Sequence, residues 1–478
     1  MVVYILKYIG PFLRINTLKK ENIENQLFYF CKESLKHIVL NSKCGITIPV
    51  KNLKIKKTSN FDNNTFKSIS PLLCIYKKAN AKLYEIDNDF CWNEDKFKKE
   101  INIYSNILMT LSLLEMVDYY KLFEGIDDKK HSLYDIYLNL CKKQLEFYTS
   151  NFRNLEGLFV DKKLSSDSLA DNIIFEDKNK KFKFSDQALA MSAFYKFSCY
   201  ENNKKKNNIY KTFSLDILNM FLNFKSELYG INSGELCKLC MALNIFYDYS
   251  KNEEAKLLLL DLNELLLERF ESIDYEIEDE IEHLCMNYLN FYLFYKNSNI
   301  VKFKQSLKNI YHRLLNLYNE ELGIIIKNIN QKDITFYSTD LLLYLITLMM
   351  HSYIDEDSKD NRILADIYKH QIIDSGIILS WPESPNLNDR ERYRNFSLNS
   401  NDLLNEENFR MPYISTPKDN LLAPVFAKKV TYNIKKQTFK NPKSSFNSDK
   451  NFTILFLTLY LFKFKNFSAV VQYSSKNR

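Results

Sequence analysis

Glycine and proline are scarce, at 8 and 9 among 478 residues. So few leave the tight turns of an all-β sandwich or barrel poorly supplied, and they leave no Gly-rich loop to cradle a nucleotide phosphate. No apolar run approaches the ~20 residues of a helical membrane span. The longest, Leu341 to Met350 and Phe452 to Phe462, fall well short, so no membrane crossing is expected. The start, Met1 to Arg14, has neither a basic leader nor a small-residue cleavage site, and no secretory signal is expected. The G-x-S-x-G, H-E-x-x-H, G-x-x-x-x-G-K and G-x-G-x-x-G patterns are missing as well, which leaves serine-hydrolase, zincin and nucleotide-cofactor chemistry without support.

Aromatic side chains are abundant, with 32 Tyr and 35 Phe, although Trp occurs only twice. With 46% hydrophobic residues, the chain has ample material for a large core. The formal charge of +7 arises from 66 basic and 59 acidic residues interleaved along the chain. Basic runs such as Lys204 to Lys206 sit among Asn without aromatics, the pattern of a solvated loop, so no specific nucleic-acid partner is expected. The wealth of Lys, Asn and Ile matches the residue bias of AT-rich coding sequence and is no report of function. Nine cysteines, an odd number set mostly in apolar helical runs, fit free thiols in a reducing compartment, and a cytoplasmic location is expected.

Apolar residues recur at three- and four-residue spacing in many segments, which predicts helices with a buried stripe. The spacing is clear at Ile103, Ile107, Leu108, Leu111 and Leu114 and predicts a helix over 101–116. Other predicted helices are 22–41, 133–148, 186–200, 211–226, 235–250, 253–271, 277–296, 301–319, 340–353, 361–373 and 451–464. Alternate helices run out into similar junctions: Leu155 to Phe159, Glu227 to Ile231, Glu321 to Ile325 and Asp374 to Ile378, each containing a Gly. Ser272 to Tyr275 holds an equivalent place without Gly, and Cys44 to Ile48 opens the series. Gly can take the left-handed conformation that ends a helix. Intervals of 73, 43, 50 and 53 residues separate the junctions near 157, 230, 273, 323 and 376. That suits one helix pair per repeat and is too long for tetratricopeptide or ankyrin arrays.

This junction pattern resembles that of the (α/α) toroid proteins, the group of six-hairpin glycosidases and acylglucosamine 2-epimerase-like proteins. The resemblance spans roughly residues 95–470 and implies an all-α fold of about five to six helical hairpins closed into a ring. Residues 1–90 are then expected as an N-terminal helical segment packing on or opening the array, and 91–478 as the toroid. The proline-bearing stretch within 380–450 is expected as a long loop with an irregular or β-containing excursion, with short strands between Leu422 and Tyr432.

Several predicted helices begin with Ser shortly before an acid: Ser185-Asp186-Gln187, Ser233-Gly234-Glu235, Ser338-Thr339-Asp340 and Ser400-Asn401-Asp402. Helix capping explains such pairs without any chemistry. The resemblance implies a second role, in which acids at helix starts face a central cavity and serve as acid and base. On that reading Asp186, Asp340 and Glu383 are the candidate catalytic residues. Trp381, Gln187, Arg392 and His351 are the candidate substrate contacts. Trp381 beside Glu383 would suit a sugar ring, or would simply pack under the loop. His351 and His283 are a second choice of base, because the epimerase-like group relies on histidines. Cys237 and Cys240 with His283 and Cys285 offer metal-ligand types, but Leu236, Cys237, Cys240 and Leu243 share one apolar helical pattern and read as core. No metal or cofactor is expected. The implied function is carbohydrate processing by carboxylates, through hydrolysis or isomerisation of a small polar substrate. The alternatives are a non-catalytic helical scaffold for a protein partner and a toroid that has lost its chemistry.

Overall fold

The computed structural model describes residues 18–53, 69–86, 89–165, 173–179, 181–201, 208–272, 281–327, 331–355, 358–383 and 417–463. Twelve principal helices appear among them. They are α1 (Lys20–Asn41), α2 (Ile103–Lys121), α3 (Asp128–Asn151), α4 (Phe184–Ser198), α5 (Ile209–Asn223) and α6 (Ser233–Ser250). Then follow α7 (Glu253–Ser272), α8 (Ile281–Ser298), α9 (Val301–Leu315), α10 (Ser338–His351), α11 (Ser358–Ile367) and α12 (Ser448–Leu461). Each lies close to a predicted helix. The segment predicted over 361–373 ends in a π-helical turn, Tyr368–Ile373.

The even-numbered helices form a closed inner ring, in which α2 packs on α4, α4 on α6, α6 on α8, α8 on α10, α10 on α12 and α12 back on α2. Each has one odd-numbered helix outside it: α3, α5, α7, α9 and α11 in order, and α1 behind α12. This is an (α/α) toroid of six hairpins. The residue patterns show why the layers separate. In α10 all fourteen residues are buried, because an inner helix has protein on every side. In α9 the buried positions Phe303, Ser306, Leu307, Ile310, Tyr311 and Leu314 form a single stripe, which leaves the other face to solvent. No helix among the described residues is long and apolar enough to cross a membrane.

The five junctions that lie within the described residues each follow an outer helix and lead to the start of an inner one, so they lie at the same end of the ring; Ile273 to Tyr275 lie outside the described residues. Gly376 adopts φ +71°, where a side chain would be strained. At Gly45 a Cβ would lie 1.8 Å from the carbonyl oxygen of Cys74, because strand Gly45–Thr47 pairs antiparallel with Leu72–Ile75. Gly230 has neither constraint.

Among the described residues of the first ninety, α1 is helical, and short strands begin at Gly45 and continue to Ile101. Runs such as Leu72–Ile75 are too short to be told from helix by periodicity, and pairing with a neighbouring strand decides them. The register Ser445↔Asn80, Phe446↔Ala79 and Asn447↔Lys78 ties this region to the start of α12. The expected strand near 422–432 is Lys429–Asn433, which lies between Asp333–Tyr337 and Thr438–Lys440 in an antiparallel sheet.

Replacing Gly45 by Ala should cost about 1–3 kcal/mol, as overpacking against rigid backbone does. Gly230→Ala should change stability by no more than about 0.5 kcal/mol. Urea unfolding of the two variants checks the contrast.

Candidate active site in the central cup

All six inner helices start at the junction end, and there the ring holds a cavity of about 450 Å³. Tyr104 enters from α2, Ser185 and Asp186 from α4, Lys238 from α6, Glu282 and Met286 from α8, and Asp449, Lys450 and Thr453 from α12. Lys77, Asp161, Lys178, Asn179 and Lys183 come from the connecting segments. Beneath them Leu108, Leu189, Met241, Ile245, Phe456 and Leu457 close the ring's centre, so the space is a blind cup. Deeper still, buried Glu115 accepts a hydrogen bond from Tyr249 (2.6 Å) and pairs with Lys463 (3.3 Å), while Tyr460 donates to Asp248 (2.8 Å).

Asp186 is 3% exposed, and its Oδ1 has no hydrogen-bond partner. Its nearest cation is Lys183, at 3.9 Å, which is equally far from Asp161. Burial, reinforced by the charges of Asp161 and Glu235, pushes the Asp186 carboxyl up to about 7. Asp449 behaves alike: burial raises it, and its Oδ1 is also without a partner. Glu282 is the contrast. Burial would raise it too, but Lys450 at 3.0 Å and the hydroxyl of Thr339 outweigh burial and hold it below the usual range. The cup therefore sets two carboxyls that burial raises beside one that a cation and a hydroxyl hold low. Separation of this kind marks acid and base roles.

Of the candidate catalytic and substrate-contact residues, the structure brings only Asp186 to the cup. Asp340 accepts from the backbone N–H of Tyr337 (2.8 Å) and from Lys327 Nζ (2.6 Å), so it caps α10 within an ion pair. Glu235 caps the neighbouring helix, accepting from the N–H of Ser185 at 2.9 Å. Gln187 is buried and grips both backbone groups of Phe159, at 3.0 and 2.8 Å, which pins a junction to α4. Trp381 is buried edge-on against Phe30, while Glu383 is exposed and paired with Lys418 at 2.9 Å. Both border a separate depression of about 580 Å³ that includes His37, at the end of α1 nearest the strands. His351 ends α10, roughly 20 Å along the helix from its start. It stacks on Tyr311 and meets the hydroxyl of Tyr288 at 2.9 Å, and burial pushes it down to about 4. His283 follows Glu282 but does not line the cup; it sits 3.5 Å from Asn287. Cys237 and Cys240 lie within α6 in the core. Arg392, with Arg390, Arg394 and the pair Ser400–Asp402, lies outside the described residues.

Asp449, Glu282, Lys238 and Lys450 went unmarked in the sequence. Ser448-Asp449 repeats the Ser-acid signal, but the apolar period begins at Asn451 and hides the helix start. Glu282 follows a stretch with no Gly at its junction.

No known family's sequence profile matches the chain, and no curated protein matches it. Among solved structures the chain is similar to a D-mannose isomerase (TM-score 0.47, 8% identity, covering 80% of this chain and 91% of that one). It is also similar to an alpha-mannanase of glycoside hydrolase family 76 from Bacteroides thetaiotaomicron (TM-score 0.44, 9% identity, 92% and 96% covered). An endoglucanase from the termite Nasutitermes takasagoensis is similar as well (TM-score 0.45, 9% identity, 93% and 98% covered). Such likeness leaves the chemistry to be argued from the cup.

The raised Asp186 sets a pH dependence. Between the ordinary Asp value and about 7 the folded chain holds a proton that the unfolded chain has released, so stability falls across that window as pH rises. Asp186→Asn should therefore stabilise the fold at pH 8, by up to about 4 kcal/mol, and the gain should vanish near pH 3.5. Urea unfolding at both pH values checks it.

Proposed function

We propose that this toroid is a sugar-processing enzyme that moves protons with carboxylates in its central cup. The observation that carries the proposal is the buried Asp186 carboxyl, whose Oδ1 has no hydrogen-bond partner, facing the same space as ionised Glu282. Structural carboxylates acquire partners, as Asp340 and Glu235 do. A buried acid left without one is costly unless a ligand completes it.

Asp186 near 7 is suited to give a proton at neutral pH, and Asp449 can share or relay that role. Glu282 supplies negative charge, either to stabilise a developing sugar cation or to take a proton. In hydrolysis Asp186 protonates the departing glycosidic oxygen, while Glu282 faces the anomeric carbon or its water. In isomerisation Glu282 takes a proton beside a carbonyl, and Asp186 protonates the oxygen. No histidine lines the cup among the described residues, so carboxylates fit better than an imidazole base. These groups supply acid and base between them, and the reading uses no cofactor. The volume lies within the range of small-molecule sites. Nine unpaired thiols, eight of them buried, favour a reducing, cytoplasmic setting.

A sugar panel followed by NMR in D₂O and in ¹⁸O-water tests the proposal. Isomerisation places solvent deuterium on carbon, and hydrolysis places ¹⁸O in the product. Asp186→Asn should lower kcat by about 10²–10⁴-fold with the fold intact, and Glu282→Gln should do likewise. Unchanged turnover in both variants would contradict the assignment.

A further inference from the structure

The cup carries more positive charge than its acid–base pair requires. Five lysines line it, and three are engaged with carboxylates: Lys450 with Glu282 at 3.0 Å, Lys178 with Glu100, and Lys183 at 3.9 Å from Asp161 and Asp186. Lys77 and Lys238 have no carboxylate within ion-pair distance among the described residues. Both are held in place. The backbone N–H of Lys77 donates to the Glu100 carbonyl (2.7 Å), and its own carbonyl accepts from the N–H of Ser448 (3.0 Å). Lys238 stands one turn into α6, with its ammonium 5.1 Å from the centre of the Tyr104 ring.

We propose that the cup's ligand is an anionic sugar whose phosphate or carboxylate group is held by Lys77 and Lys238; this rests on the sugar-processing reading above. Three observations converge on it. Buried Asp186 and half-buried Asp449 each keep one carboxylate oxygen without a hydrogen-bond partner, and neither lies within ion-pair distance of Lys77 or Lys238. The inner helices point their N-terminal ends at this space, and the partial positive charge there favours an anion. Tyr104 is the only aromatic side chain lining the cup among the described residues, so ring stacking offers little and charged contacts must supply most of the binding. A neutral sugar would leave two lysines without an ion-pair partner in a half-enclosed space, whereas an anionic group at one end of the sugar would supply one. A bound anion would also strengthen proton retention on Asp186, which coordinates charge recognition with the acid role.

Calorimetric titration of the full chain at pH 7 with hexose 6-phosphates, hexuronates, the parent hexoses and inorganic phosphate tests the proposal. The expected result is that at least one anionic hexose binds about tenfold or more tightly than its parent, with a preference that weakens in added salt. Comparing the phosphate and carboxylate arms identifies the group. Lys238→Gln, at an exposed position, and Lys77→Met should each reduce the ratio of anionic to parent-hexose affinity, with unfolding midpoints confirming the fold. Parent hexoses binding as tightly as the anionic ones would overturn the proposal and leave the sugar-processing reading standing. Inorganic phosphate binding as tightly as the hexose phosphate would overturn it as capture of a bare ion. Binding of none of the sugars would overturn both.

Discussion

The last inner helix has to reach the first for the cup to exist. α12 lies between α10 and α2, and α1 covers its outer face, so the ring closes by joining its two sequence extremes. The strand pair Lys78–Asn80 with Ser445–Asn447 fixes that closure at the junction end and leaves Lys77 and Asp449 on the same wall. Five of the six inner helices contribute residues directly, and α10 acts from behind, where the Thr339 hydroxyl meets both Glu282 and Lys450. An open superhelix with the same hairpins would scatter these groups.

Closure also explains the division of labour between the two ends of the ring. Helix starts gather at the cup, with their dipoles aimed at one space. Helix ends gather at the opposite face, where Lys196 pairs with Asp118 (2.5 Å) and Lys463 with Glu115, placing cations near carboxyl termini as the dipole prefers. Each of those carboxylates has a cation beside it. At the cup, Asp186 and Asp449 keep an oxygen unmatched, at a cost in stability that suits a place where a ligand is to be met.

Much of the scaffold is legible in the sequence because it depends on period and punctuation. Apolar spacing marks all twelve helices, and Gly157, Gly323 and Gly376, each at positive φ, mark passages from outer to inner helices. The site is much less legible. Ser-acid pairs occur wherever a helix start needs capping, and whether the acid caps or faces the cup depends on which way the side chain turns. Asp340 turns to Tyr337 and Lys327, Glu235 to Ser185, and Asp186 to the cavity, although all three stand in similar local sequence. Trp381 with Glu383 suggested a sugar platform on composition alone, but its ring is committed to Phe30 and the outer wall. Lys77 lies in a bend between two short strands and Glu100 in another short strand, none with a periodic signal, so their convergence is visible only once the ring has closed.

The account turns on one ionisation, the retention of a proton by Asp186 near neutral pH. Isotope-edited infrared difference spectroscopy of the ¹³C-aspartate-labelled chain against its Asp186→Asn variant observes that carboxyl directly. The account predicts a protonated-carboxyl band, lost in the variant, that titrates with a midpoint near 7. A midpoint in the ordinary aspartate range, about 4, would contradict it.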